Sequence, residues 1–210
     1  MSIRLFFMTA ITALVSTTSP VQATGDVVKG EALSQTCLGC HGVPGLRNPS
    51  PVYRVPMIGG QHASYIEVAL KAYKNKERAH PTMRAQAANL SNEDIKDIAA
   101  YFSSLKQESK PFVKAGAAAG KEKVAVCVAC HGLEGKADTD AARDAAFPVL
   151  AGQYDDYLER VLLDYKSGAR KNGIMNGITR ELSKQDIKDL SRWFRSQKGT
   201  LNAPVIKSKK

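Results

Sequence analysis

The chain has 210 residues and four cysteines, and the cysteines fall in two copies of one pattern. Cys37 and Cys40 enclose two residues and are followed at once by His41; Cys127 and Cys130 are followed at once by His131. Cys-x-x-Cys-His is the attachment signature of a c-type haem. On one turn of a short helix, two thiols at this spacing reach the two vinyl groups of a porphyrin as thioethers. The next residue then turns its imidazole onto the iron. A pair of disulfides is the default for four cysteines in an exported chain, and a zinc site can use two Cys pairs. Both readings leave the two adjacent histidines unexplained, as does a thioredoxin-like redox pair. Two covalent haems, using every cysteine, is the expectation.

What holds the other face of each iron decides the chemistry. An iron held by histidine alone leaves a position open to small ligands; a thioether closes it and raises the reduction potential. Five methionines are present, and Met1 and Met8 lie in an N-terminal apolar leader. Of the other three, Met83 stands seven residues before Leu90 and Met175 seven before Leu182, which makes them equivalent in a duplicated sequence. They are the expected sulfur ligands, placed in irregular segments ahead of a capped helix. Met57 has Val149 as its counterpart and reads as a core or haem-wall side chain. His62 and His80 have Tyr154 and Asn172 in their places. They read as solvated surface histidines, with His80 as a substitute iron ligand the alternative.

The duplication runs through the chain. Gly30 precedes Cys37 by seven residues, as Gly120 precedes Cys127. Pro56-Met57-Ile58-Gly59-Gly60-Gln61 corresponds to Pro148-Val149-Leu150-Ala151-Gly152-Gln153, and Tyr65, Tyr73 and Arg78 to Tyr157, Tyr165 and Arg170. The offset is 90 at the cysteines and 92 from the prolines onward, so two residues were gained between His131 and Pro148. The expected organisation is a signal peptide over 1–23, one domain over 24–106, a linker over 107–118 containing Lys110-Pro111 and the Ala/Gly run from Ala115, and a second domain over 119–210 ending in a basic tail. Domains this small bury little apolar surface and often need a staple, so each half is expected to be largely unfolded without its haem.

The elements that must position these residues are helical. Ser91 and Ser183 each begin a Ser-x-x-Asp pattern that caps a helix start. Behind the first come Ile95, Ile98, Tyr101, Phe102 and Leu105; behind the second, Ile187, Leu190, Trp193 and Phe194. That spacing of three and four is one apolar helix face. A second helix is expected from about Tyr65 to Tyr73 and from Tyr157 to Tyr165, and a short first helix around Gly30 and Gly120. No segment alternates with period two. The fold class is all-α.

Arg4, the apolar run Leu5 to Val15 and Val21-Gln22-Ala23 follow the order of a secretory signal, with cleavage expected after Ala23 and a periplasmic destination. The net charge of +10 falls to +9 without the leader, divided as +3 over residues 24–113 and +6 over 114–210. Lys207, Lys209 and Lys210 supply half of the latter. Four haem propionates would leave a modestly basic surface, suited to steering toward an acidic docking face. The lysines are dispersed and the chain reads as exported, which excludes nucleic acid as the partner; peripheral association with a membrane surface stays open.

With both haem motifs, the paired Pro-x-x-(Gly/Ala)-Gly-Gln segments and the paired methionines, the chain resembles the di-haem cytochrome c4 family from about Val28 to Lys198. The resemblance implies two cytochrome c-type domains related by a pseudo-two-fold, with haem edges facing across the interface. It implies Cys37, Cys40, His41 and Met83 around one haem, and Cys127, Cys130, His131 and Met175 around the other. The carbonyls of Pro56 and Pro148 are then acceptors for the axial imidazoles, and Gly30 with Tyr101 and Gly120 with Trp193 mark where first and last helices cross. Arg78 and Arg170, five residues before each methionine, are either propionate partners or exposed basic side chains. Pro81, where the other repeat has Gly173, would make the two methionine segments differ in stiffness.

Two closed irons and no further constellation of base, nucleophile or open metal point to an electron carrier, not an enzyme. The resemblance suggests a respiratory chain, with a quinol–cytochrome c reductase or a dehydrogenase as donor and a terminal oxidase as acceptor. A tightly bound subunit of a dehydrogenase, such as a flavocytochrome, is the alternative.

Overall fold

Asp94 and Asp186 close the same local circuit in each half. The Ser91 hydroxyl accepts the Asp94 N–H while the Asp94 carboxylate accepts the Ser91 N–H, and Ser183 and Asp186 do the same. Two orphan donors are thereby satisfied at each helix start. The helices so begun, α5 (Asn92–Ser104) and α11 (Lys184–Ser196), are the spines of the two halves. The computed structural model describes residues 25–108, 112 and 117–205. The expected leader over 1–23, Lys110, Pro111 and Ala115 of the expected linker, and Lys207, Lys209 and Lys210 lie outside them.

In the first half, α1 (Val27–Leu33) crosses α5; α2 (Gln35–His41), α3 (Ala63–Lys74) and α4 (Pro81–Ala87) complete the set. In the second half, α6 (Ala117–Lys121) crosses α11, and α7 (Ala125–His131), α9 (Asp155–Ser167) and α10 (Gly173–Arg180) repeat the arrangement. A short extra helix, α8 (Asp140–Asp144), occupies the region where two residues were gained. Among the described residues, extended pairing is limited to isolated bridges, so the all-α expectation holds.

Glycine is required at both helix crossings. A Cβ at Gly30 would lie 2.0 Å from the Asp97 carbonyl oxygen and 2.8 Å from the Tyr101 Cβ. At Gly120 it would lie 2.3 Å from the Asp189 carbonyl oxygen and 2.6 Å from the Trp193 Cβ. Leu38, Ile66, Leu70, Ile95, Ile98 and Phe102 form one core; Val124, Leu158, Leu190 and Phe194 form the other. Each α5 or α11 face is the one its periodicity defined.

The second crossing carries a charge cluster with no counterpart at the first among the described residues. Lys123 Nζ meets Asp186 at 2.7 Å and Asp189 at 2.8 Å. The Lys123 ammonium holds both carboxyls below the usual carboxylate range. Because those folded-state values are depressed, the contribution is present above the ordinary carboxylate range and is lost as pH falls through the folded values. Lys123→Met is therefore expected to destabilise the second half at neutral pH, with the difference from the parent protein shrinking below about pH 4. Acid unfolding followed by circular dichroism checks this; a pH-independent difference would contradict it.

Candidate functional site: two paired-thiol pockets in one cavity

Each Cys-x-x-Cys-His sequence is a single short helix. In α2, Leu38 points into the core while Cys37, Cys40 and His41 line the cavity; in α7, Cys127, Cys130 and His131 do so. No disulfide joins any of the four cysteines, so the disulfide reading does not hold. Burial raises the Cys37 thiol's pKa and takes that of Cys127 up to about 11.

Both imidazoles are buried and fixed by a proline carbonyl. His41 Nδ1 donates to the Pro56 oxygen at 2.8 Å and His131 Nδ1 to the Pro148 oxygen at 3.0 Å. A carbonyl only accepts, so Nδ1 carries the proton and Nε2 keeps its lone pair. Desolvation holds both rings below the ordinary histidine pKa, in the neutral state that binds a metal.

The methionines sit on short helices, not in irregular segments, because a side chain caps each helix start. His80 Nδ1 accepts the Met83 N–H at 3.3 Å, and the Asn172 side-chain oxygen accepts the Met175 N–H at 3.0 Å. His80 and its counterpart thus do one job with different chemistry, and His80 is a half-buried cap, not a solvated side chain. Lysines brace the far ends: Lys74 Nζ donates to the Leu90 carbonyl, and its equivalent Lys166 to Leu182 at 2.7 Å and Arg180 at 2.5 Å. Pro81 and Gly173 both stand at the first helical position.

Both sets open on one continuous cavity with about 2970 Å³ of atom-free space, part of it open to solvent. Its walls include Ile58, Ile66, Leu70, Leu150, Leu158 and Phe194. Arg78 and Arg170 line it where the halves meet, their backbones paired as an antiparallel bridge. Arg78 is buried and Arg170 half-buried, so the exposed alternative does not hold. Each guanidinium lies over a tyrosine ring, Arg78 over Tyr73 at 4.5 Å and Arg170 over Tyr165 at 4.6 Å. Arg170 also donates to the Tyr65 hydroxyl at 2.9 Å. Burial alone would raise the Tyr65 phenol's pKa, but the two guanidiniums outweigh it and bring it down to about 8. Among the described residues neither guanidinium has an ion pair with a carboxylate.

The halves are stitched together by the glutamines that end the repeated Pro-x-x-(Gly/Ala)-Gly-Gln segments. Gln61 Nε2 donates to the Val149 carbonyl at 3.0 Å and its Oε1 accepts the Val149 N–H at 2.9 Å. Gln153 Nε2 donates to the Met57 carbonyl at 2.8 Å and its Oε1 accepts the Met57 N–H at 3.0 Å. Met57 and Val149, equivalent in the repeat, lie with Ala151, Tyr154 and Leu201 in an apolar cluster at this junction. His62 is buried here as well, its Nδ1 donating to the Phe147 carbonyl at 3.0 Å, which corrects the expectation of a solvated histidine. The sequence signal for the glutamines was their recurrence after a glycine in both repeats. His62 had no such signal, since its counterpart Tyr154 uses its hydroxyl differently, accepting the Gly45 N–H at 2.9 Å.

Paired thiols, a neutral imidazole fixed through Nδ1 and a thioether on one apolar cavity, with guanidiniums at its edge that have no carboxylate partner among the described residues, suit an iron porphyrin bearing carboxylates. Two such pockets in one helical chain define a di-haem c-type cytochrome. A family model described as cytochrome c matches twice, over residues 27–106 and 117–198. Cytochrome c4 of Pseudomonas aeruginosa is 33% identical over 190 residues, covering 84% of this chain and 91% of that protein. The thiosulfate dehydrogenase electron acceptor of Thiomonas intermedia is 28% identical over 77% of this chain and 78% of that protein. The crystal structure of reduced recombinant cytochrome c4 from Pseudomonas stutzeri matches with a TM-score of 0.70 at 31% identity, covering 82% of this chain and 99% of that one. The chain belongs to the cytochrome c family, in its tandem di-haem cytochrome c4 group, and carries two covalently attached haem c.

Proposed function

We propose that the protein is a one-electron carrier with two closed, histidine/methionine-ligated sites. Cys37 and Cys40 would anchor one haem and His41 and Met83 would hold its iron; Cys127 and Cys130 would anchor the other, with His131 and Met175 holding its iron. Each haem, when bound, supplies an iron that cycles between ferric and ferrous. The Pro56 and Pro148 carbonyls orient the imidazoles and strengthen them as donors. The capped, lysine-braced helices α4 and α10 hold the sulfurs, so ligation stays constant and little rearranges as charge changes. Arg78 and Arg170 would balance carboxylates of the bound group, which accounts for two guanidiniums without carboxylate partners.

The observation that supports this reading is the recurrence of the complete set, thiols, carbonyl-anchored imidazole and capped methionine, on both sides of one cavity. Its partners are redox proteins. A quinol–cytochrome c reductase or a dehydrogenase would be the donor and a terminal oxidase the acceptor, in the periplasm after loss of residues 1–23. No helix among the described residues is long and apolar enough to cross a membrane. Carbon monoxide added to the reduced protein at neutral pH is expected to leave the spectrum unchanged; binding at either site would contradict closed coordination.

Similarity to a thiosulfate dehydrogenase electron acceptor favours, as a second reading, dedicated service to one dehydrogenase. Native purification separates the two: a stoichiometric enzyme partner would support dedicated service, and an unaccompanied cytochrome the free carrier.

A further inference from the structure

The segment after α11 leaves its own half and lies on the other. Asn202 pairs with Gly59 as an antiparallel bridge, the Gly59 N–H donating to the Asn202 carbonyl at 3.1 Å and the Asn202 N–H to the Gly59 carbonyl at 3.0 Å. The Asn202 side-chain amide donates to the Leu105 carbonyl at 2.6 Å, and the Thr200 hydroxyl to the Gly60 carbonyl at 3.2 Å. Leu201 between them is fully buried.

These contacts fall on the two stretches of backbone that fix the first imidazole. Gly59 is three residues beyond Pro56, whose carbonyl holds His41. Pro204 covers the other stretch: its carbonyl oxygen lies 2.8 Å from where a Cβ on Gly42, the residue after His41, would sit. In the second half the Leu150 and Ala151 N–H groups of the matching stretch donate to the Gly135 carbonyl at 2.6 and 3.0 Å, and the C-terminal segment adds apolar packing there through Leu201 against Val149 and Ala151. The sequence reflects the difference. A Cβ at Gly59 would come 2.6 Å from Asn202 Oδ1, whereas the equivalent position in the second half is an alanine, Ala151.

We infer that residues 200–204 are an inter-domain strap that positions the histidine side of the first haem site, so that the first site's redox properties depend on the backbone bridge this segment makes to Gly59. The inference rests on the ligation proposed above. The strap acts through the Pro56–Gly60 backbone and touches no iron ligand itself. Because the Gly59 N–H is held by Asn202 and the equivalent Ala151 N–H by Gly135, the two repeats are inequivalent although their ligands are the same.

The test uses the holoprotein carrying Gly59→Ala, a residue the second half already accommodates, alongside Asn202→Pro, which removes the bridging N–H. A chain lacking 206–210 is the control. In both variants, amide exchange over residues 42–61 is expected to speed at least tenfold while residues 132–147 keep their protection. One of the two one-electron waves shifts and the other stays; the control matches the full chain. Unchanged exchange and waves, or both waves moving together, would overturn the strap. In the unsubstituted protein, the Gly59 and Asn202 amides should exchange at a common rate, and an unprotected Asn202 would overturn it without any variant. Failure of the underlying ligation is visible separately, as loss of the methionine–iron absorption in the full chain itself.

Discussion

Gln61→Leu is expected to destabilise the protein by about 3 kcal/mol and to loosen the two halves from each other. Leucine is close in size, so the cost is not mainly a cavity. It comes from the Val149 carbonyl, the Val149 N–H and the His62 N–H, all of which lose the partner that the Gln61 amide supplies. Each buried group left unsatisfied costs about 1–3 kcal/mol. Gln153→Leu is expected to act alike on the Met57 carbonyl, the Met57 N–H and the Tyr154 N–H. The double variant should convert a shared denaturation profile into two separate transitions. Chemical denaturation followed at a haem band and by far-ultraviolet circular dichroism reads both effects. A single unshifted transition in the double variant would show that the apolar cluster around Met57 and Leu201 joins the halves by itself.

Met83→Ala is expected to open one site and leave the other closed. Half of the far-red methionine–iron absorption should vanish, and the reduced protein should bind one carbon monoxide per chain. The potential of the opened site should fall, because a thioether ligand is what raises it. Met175→Ala should give the same stoichiometry from the other side. Met57→Ala should leave the far-red band intact, since Met57 packs between the halves with Val149 and Tyr154. The contrast separates a ligand from a packing methionine of the same type.

The parts of this site that were legible in the sequence are those that chemistry forces into fixed spacing. Thioether attachment needs Cys-x-x-Cys-His on one helical turn, and repetition brings out Met83 with Met175 and leaves Met57 aside. The helix crossings were expected from the family resemblance, and the structure supplies the reason for their glycines, a carbonyl 2.0–2.3 Å from the missing Cβ. What stayed hidden depends on pairings far apart in the chain. His62 meets Phe147 and Asn202 meets Gly59, and no local pattern announces either partner. His80 differs from the expectation for another reason. Comparing repeats residue by residue treats His and Asn as a mismatch, although both accept a hydrogen bond from the N–H three residues on and serve equally as caps. The glutamine stitches lay between these cases: their recurrence was visible, but the partner was a backbone group, which carries no residue identity to match.

The proposed ligation holds each of two irons between a histidine nitrogen and a methionine sulfur. A spectroelectrochemical titration of the intact protein, recording the far-red band together with the main haem absorption, tests it most directly. Two one-electron waves are expected, with the far-red band vanishing in proportion across both as the irons are reduced. A wave that carries no far-red change would contradict it, because that iron would lack its sulfur.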